Sequence, residues 1–83
     1  MFDGKKVAAN MKSGRYMNGW TQQDLADTSH VSLSAITSYE VARNVPGLDI
    51  AVAICDAFGW TLDRLVGRTV DQKTGEVTYE DRR

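Results

Sequence analysis

WTQQDLADTSHVSLSAITSYE, Trp20 to Glu40, decides the fold, because it reads as two short helices joined by a tight turn. Thr21 can cap the first helix through its hydroxyl, so that helix begins at Gln22. Asp24, three residues on, then stands at the positive end of the helix dipole, and Leu25 and Ala26 turn inward. Ser32 caps the second helix, and Ile36 and Tyr39 form its apolar stripe at i and i+3. Ser34, Thr37 and Ser38 are left on the other faces, their hydroxyls outward.

Thr21-Gln22 opening a helix, Leu25-Ala26, Val31-Ser32, Ile36 and Glu40, then Pro46 and Leu48, form a pattern that resembles the lambda-repressor-like helix-turn-helix family of Cro and xenobiotic-response-element type. The register runs without gaps to Leu65-Val66-Gly67, and many spaced positions are more specific than any single motif. The resemblance implies an all-α, compact five-helix DNA-binding domain over residues 1–67, followed by a C-terminal hairpin or tail over 68–83. It also implies a function, regulation of transcription in the manner of a phage or bacterial repressor. In that family the second helix of the pair enters the major groove, while the preceding helix sets its N-terminus over a phosphate.

Carried over residue by residue, Leu33, Ser34, Thr37 and Ser38 match the base-facing positions, and Gln22 matches the phosphate anchor, with Gln23 assisting from the side. Arg43 and Asn44 in the following loop, and Arg15 on the first helix, complete the expected phosphate contacts. Short hydroxyls and one leucine discriminate less than arginine or glutamine would, so direct readout is expected to be modest, with dimer spacing and DNA shape adding specificity. Double-stranded DNA and a second copy of the chain are the implied partners.

Composition sets independent limits. Eighty-three residues make one small domain, whose helices can share a core without metal or disulfides, and a hydrophobic fraction of 42% suits a globular chain. The lone Cys55 cannot form an internal bridge, and Met1 to Asn10 lacks the apolar run of a signal peptide, so a reducing cytoplasm is expected. No apolar run approaches the ~20 residues of a membrane span. With one histidine, His30, and one distant cysteine, neither a metal site nor a nucleophile–base pair can be assembled. No enzyme, cofactor or small-molecule ligand is indicated.

Charge runs against the DNA reading. A formal net charge of −1 is not the basic balance that phosphate neutralisation favours. Position compensates in part, since Lys5, Lys6, Lys12, Arg15 and Arg43 precede or flank the two-helix unit while Glu76, Glu80 and Asp81 lie in the tail. The alternative is a protein-interaction module on the same scaffold, such as a modulator of another repressor or an antitoxin-like partner.

The rest of the chain divides at its punctuating residues. Val7, Ala8 and Met11 recur with helical spacing and predict a first helix from about Asp3. Gly14 falls where the family usually carries a large apolar residue, and either Trp20 fills the vacated space or the helix ends near Ser13. His30 and Ala42 stand where the family most often has glycine, which asks both to accept a positive φ. Leu48 to Phe58 predicts a fourth helix with Leu48, Ala51, Val52, Cys55 and Phe58 inward, ended by Gly59. Cys55 on that stripe reads as a small buried hydrophobe. Thr61 caps a fifth helix, Leu62 to Val66, ended by Gly67.

Beyond it, Thr69 to Gln72 and Glu76 to Tyr79 predict a hairpin around Gly75, which docks or frays. Asp81, Arg82 and Arg83 are expected to be disordered. The surplus apolar residues Ile50, Ala53 and Ala57 on the fourth helix, or Val70, Val77 and Tyr79 in the hairpin, are the expected dimer contact.

Overall fold

The computed structural model describes residues 2–80, and the expectation for Asp81 to Arg83 lies outside the described residues. Helix α1 spans Gly4–Asn18, α2 Gln22–Ser29, α3 Leu33–Glu40, α4 Leu48–Phe58 and α5 Leu62–Val66, and a two-stranded hairpin follows, β1 Arg68–Val70 and β2 Val77–Tyr79. Four helices start on a side-chain cap: Asp3, Thr21, Ser32 and Thr61 each accept a hydrogen bond from a backbone N–H of the first turn. At α2 the cap is reciprocal, Asp24 N–H to Thr21 Oγ1 at 3.1 Å and Thr21 N–H to Asp24 Oδ2 at 2.9 Å. Two orphan donors are thereby satisfied at once.

Every helix gives the core at least one fully buried side chain. Val7 and Met11 come from α1, Leu25 from α2, Ile36 from α3, Ile54 from α4 and Leu65 from α5. Each contributes roughly 1.5–3 kcal/mol by leaving water. No helix among the described residues is long and apolar enough to cross a membrane.

The helix ends share one device. After α1, α3 and α4 the chain passes through a left-handed residue whose N–H reaches back three residues, while the next N–H reaches back five. For α3 these bonds run from Ala42 N–H to Tyr39 O (3.1 Å) and from Arg43 N–H to Ser38 O (3.0 Å). Gly19 and Gly59 suit that conformation, but Ala42 adopts it at φ 60° and carries a Cβ into the clash that glycine avoids. His30, at the end of α2, has φ 60° as well. Ala42→Gly should therefore stabilise the domain by about 0.5–1 kcal/mol, the relief of strain exceeding the entropy that glycine adds to the unfolded chain. Urea titration measures it, and a destabilised variant would count against strain at this joint.

Helix α1 does not stop at Ser13 but continues four residues past Gly14. The occupant of the vacated space is Phe58 rather than Trp20: a Cβ on Gly14 would lie 2.8 Å from the Phe58 ring. Trp20 stacks behind that ring at 5.8 Å between centroids, and Trp60 packs against it at 4.8 Å. The inward face of α4 also differs from expectation. Ala51, Ile54 and Cys55 are buried, whereas Leu48 is 72% exposed and Val52 40%. Ile50, Ala53 and Ala57 are half-buried and packed against the core, so the surplus apolar surface of α4 is Leu48 and Val52.

The hairpin pairs Arg68 with Tyr79, Thr69 with Thr78 and Val70 with Val77. Its first strand begins one residue earlier than predicted and stops at Val70, because Asp71 is taken by the turn. Asp71 Oδ1 accepts from the N–H groups of Lys73 (2.8 Å) and Thr74 (3.1 Å), bonds that hold its carboxyl below the usual carboxylate range. The hairpin docks on the helices rather than standing free. Glu80 N–H donates to Gly67 O at 2.7 Å, Lys6 pairs with Glu80 at 2.7 Å, and Arg68 pairs with Asp63.

Candidate nucleic-acid interface

The caps of α2 and α3 and the left-handed His30 between them fix the angle at which α3 leaves the body. Its buried side is Ile36 and Glu40, and Ala35 and Tyr39 are half-buried. The opposite side carries Leu33 (41% exposed), Ser34 and Thr37 into solvent, with Ser38 half-buried beside them. The structure therefore brings the four sequence-predicted base-facing residues onto one surface. That surface continues into the loop after α3, where Arg43 and Asn44 are exposed and Asn44 Nδ2 donates to Ser38 Oγ at 2.7 Å. Gln23, also exposed, donates to Asp27 Oδ1 at 2.8 Å.

Arg15 is a correction. Its side chain is 7% exposed and locked in a bidentate pair with Glu40, Nε to Oε2 at 2.6 Å and Nη2 to Oε1 at 2.7 Å. A third bond runs from Nη1 to Trp20 O at 3.0 Å. The hydrogen bond to Glu40 raises the guanidinium pKa against the opposing effect of burial. Buried, and with three of its donors committed inside the protein, Arg15 is not placed to contact a phosphate. Lys6 makes a single, partly exposed pair with Glu80, which leaves Lys5, Lys12 and Arg43 as the exposed cations of the five that flank the two-helix unit.

Glu40 enters the sequence reading only as a position of the family pattern, with no role assigned. Its carboxylate, 2% exposed, joins α1 to α3 through Arg15 and also accepts from Gln22 Nε2 at 3.3 Å. Gln22 Oε1 in turn takes a hydrogen bond from Thr37 Oγ1 at 3.1 Å. A continuous polar chain thus runs from the core, Arg15 to Glu40 to Gln22, out to the surface at Thr37. The signal lay in the pattern: Arg15 follows Met11, and Glu40 follows Ile36, at i+4 on stripes that point inward. Two opposite charges at core positions announce a buried pair.

Cys55 has no place in this site. It is 3% exposed, its Sγ lies 3.5 Å from Thr61 O, and burial, with a smaller effect from the charge of Asp56, pushes its thiol pKa up and away from the reactive thiolate.

A family model described as helix-turn-helix matches residues 11–65, more than half of the chain. A search of the curated proteins finds no significant match. Among solved structures, a hypothetical transcription factor, NHTF, from Neisseria superimposes with a TM-score of 0.72 at 24% identity, over 76% of this chain and 72% of that one. The clp gene regulator ClgR from C. glutamicum gives 0.67 at 24% identity, over 75% and 80%. These likenesses concern the fold, which is lambda-repressor-like. Because the matched segment spans α2, α3 and the elements that brace them, the chain belongs to the helix-turn-helix family.

Proposed function

We propose that this chain is a sequence-specific double-stranded DNA-binding transcriptional regulator, repressor-like, that works in the cytoplasm as a homodimer with α3 in the major groove. The observation that carries the proposal is the solvent face of α3. Leu33, Ser34 and Thr37 are exposed with no packing role, on a helix fixed to the core by the buried Arg15–Glu40 pair. Such a face has the size and rigidity that groove readout requires. Gln22, at the first position of α2, keeps one amide hydrogen free for a phosphate, and Gln23, Arg43 and Asn44 stand exposed to either side.

Selection from randomised duplexes followed by salt titration tests this reading. With one to three free cations per protomer, log K should fall against log salt with a slope of roughly −1 to −3 per protomer. Ser34→Ala should melt like wild type yet bind the selected duplex at least about 1 kcal/mol more weakly. Gln22→Ala should weaken all duplexes alike. A slope near zero on every duplex would favour the second reading, a protein-interaction module, which the net charge of −1 and the internal pairing of Lys6 and Arg15 support.

Dimerisation is supported by apolar exposure. Phe2 (47%), Val45 (49%) and Leu48 (72%) surround a recess of about 360 Å³ that also reaches Tyr79 of the hairpin. A second copy would cover it. Light scattering at high micromolar concentration should give twice the monomer mass, and a monomer there would remove the dimer from the proposal.

A further inference from the structure

We propose that Thr37 is an obligate hydrogen-bond acceptor on the recognition face, so that the base it reads is adenine or cytosine, the two that carry an amino group in the major groove. The assignment rests on the DNA-binding function proposed above and refines it. Hydroxyls are ordinarily ambivalent, since each has one proton and two lone pairs and rotates to suit its partner. Here the ambivalence is removed from below.

The chain of constraint starts at Glu40. A carboxylate locked onto a guanidinium has only acceptors to offer, so the atom of the Gln22 amide that meets Glu40 Oε1 must be the nitrogen. Gln22 Oε1 is thereby turned the other way, toward Thr37 Oγ1 at 3.1 Å. An amide oxygen has no proton of its own, so a hydrogen bond across that distance can take one only from the hydroxyl. Thr37 must supply it. Its other neighbour leads to the same result, because Leu33 O, at 3.0 Å, is a carbonyl and accepts only. Whichever of the two takes the proton, it is spent inside the protein. Thr37 then presents to the groove its lone pairs and its methyl group.

The major-groove edges sort themselves against that surface. Adenine offers the N6 amino group and cytosine the N4 amino group, whereas guanine offers N7 and O6 and thymine offers O4 beside its methyl. An acceptor facing the edges of guanine or thymine would meet another acceptor, with no proton to share. Ser34 is under no such constraint and can turn either way. Thr37 therefore supplies the part of the readout whose polarity is set by the fold rather than by the DNA.

The experiment uses the full chain and the duplex enriched from a randomised pool by wild type. Thr37→Val keeps the shape and the methyl group and removes the acceptor, so comparing wild type and variant pools locates the base pair that Thr37 reads. That base pair should be fixed in the wild-type pool and degenerate in the variant pool, and its amino-bearing base, adenine or cytosine, is the one Thr37 is expected to contact. The base there is then replaced by its analogue lacking the amino group, purine for adenine or 2-pyrimidinone for cytosine. Wild type should lose roughly three- to tenfold in affinity, the worth of one hydrogen bond, while Thr37→Val binds both duplexes alike. An amino-free analogue at the position located by Thr37→Val that wild type binds as tightly as the natural base overturns the assignment. A wild-type pool that enriches no sequence removes the DNA-binding reading itself, a failure visible before any base is substituted, and the assignment falls with it.

Discussion

Glu40→Ala should cost about 3–5 kcal/mol, enough to unfold much of a domain this small at room temperature. The size of the effect comes from what is left behind. Arg15 has three hydrogen bonds inside the protein, two of them to this one carboxylate, and with the carboxylate gone a buried cation keeps a single carbonyl partner. Removing both charges is a different experiment. Arg15→Met with Glu40→Leu exchanges an ion pair for apolar volume, which is often neutral or stabilising by 1–4 kcal/mol. In urea the single variant should therefore unfold far earlier than wild type, and the double variant at the same concentration or later. The double variant should also lose sequence discrimination while it keeps its fold, since Gln22 would no longer be held by Glu40. A stable Glu40→Ala protein would mean that water reaches Arg15 and that the pair is not the anchor of α3.

Gly14→Leu should also destabilise the domain, although it restores the kind of residue the family usually carries there. Even a lone Cβ at this position would sit 2.8 Å from the Phe58 ring, and a leucine must displace the ring altogether. Overpacking of this kind typically costs 1–3 kcal/mol and occasionally more, and displacing a whole ring belongs at the upper end, above the ~1 kcal/mol that helix propensity returns when glycine is replaced. The effect should reverse with Phe58→Ala in the background. Alone, Phe58→Ala opens a cavity beneath Trp20 and costs up to about 3–5 kcal/mol. Together the two substitutions trade one large side chain for another across the same gap. A thermal-denaturation cycle should thus show a favourable coupling of about 1 kcal/mol or more, and additivity within error would contradict direct contact.

These two sites also mark how far the sequence could be read. Most helix boundaries were legible because they rest on local chemistry: Thr21 with Asp24, Ser32 and Thr61 at the starts, Gly59 and Gly67 past the ends, while the end of α1 was left open between Ser13 and Gly19. The positive φ at His30 and Ala42 was legible only through the resemblance, which puts glycine at both positions. The rotation of α4 was not. With Asp49 and Asp56 as its only charges, that helix has almost no polar side to orient it. The true inward face, Ala51, Ile54, Cys55 and Phe58, lies about 50° from the one predicted, half the angle between successive residues.

Among the candidate site residues, those on α3 could be found because a short helix with one apolar stripe leaves few places for hydroxyls to go. Arg15 could be placed only together with Glu40, 25 residues away: its spacing from Met11 points it inward, and the partner that makes an inward charge tolerable is distant in sequence. Phe58 filling the gap at Gly14 is the same kind of long-range fact. Local rules name the elements, and only packing decides which distant side chains share a space.

The aromatic cluster around Phe58 has an optical consequence. Both tryptophans of the chain, Trp20 and Trp60, lie against that one ring, and Trp60 also lies beneath the Arg64 guanidinium at 4.3 Å. Intrinsic tryptophan emission is therefore a reporter of the seam where α1, α2, α4 and α5 meet. The hairpin carries no tryptophan and is attached through Lys6, Gly67 and Asp63, so its opening would leave the emission spectrum unchanged. An unfolding curve followed at tryptophan wavelengths describes the helical body alone, and detachment of residues 68–80 is visible only to a probe placed there, such as Tyr79 or the amide exchange of β2.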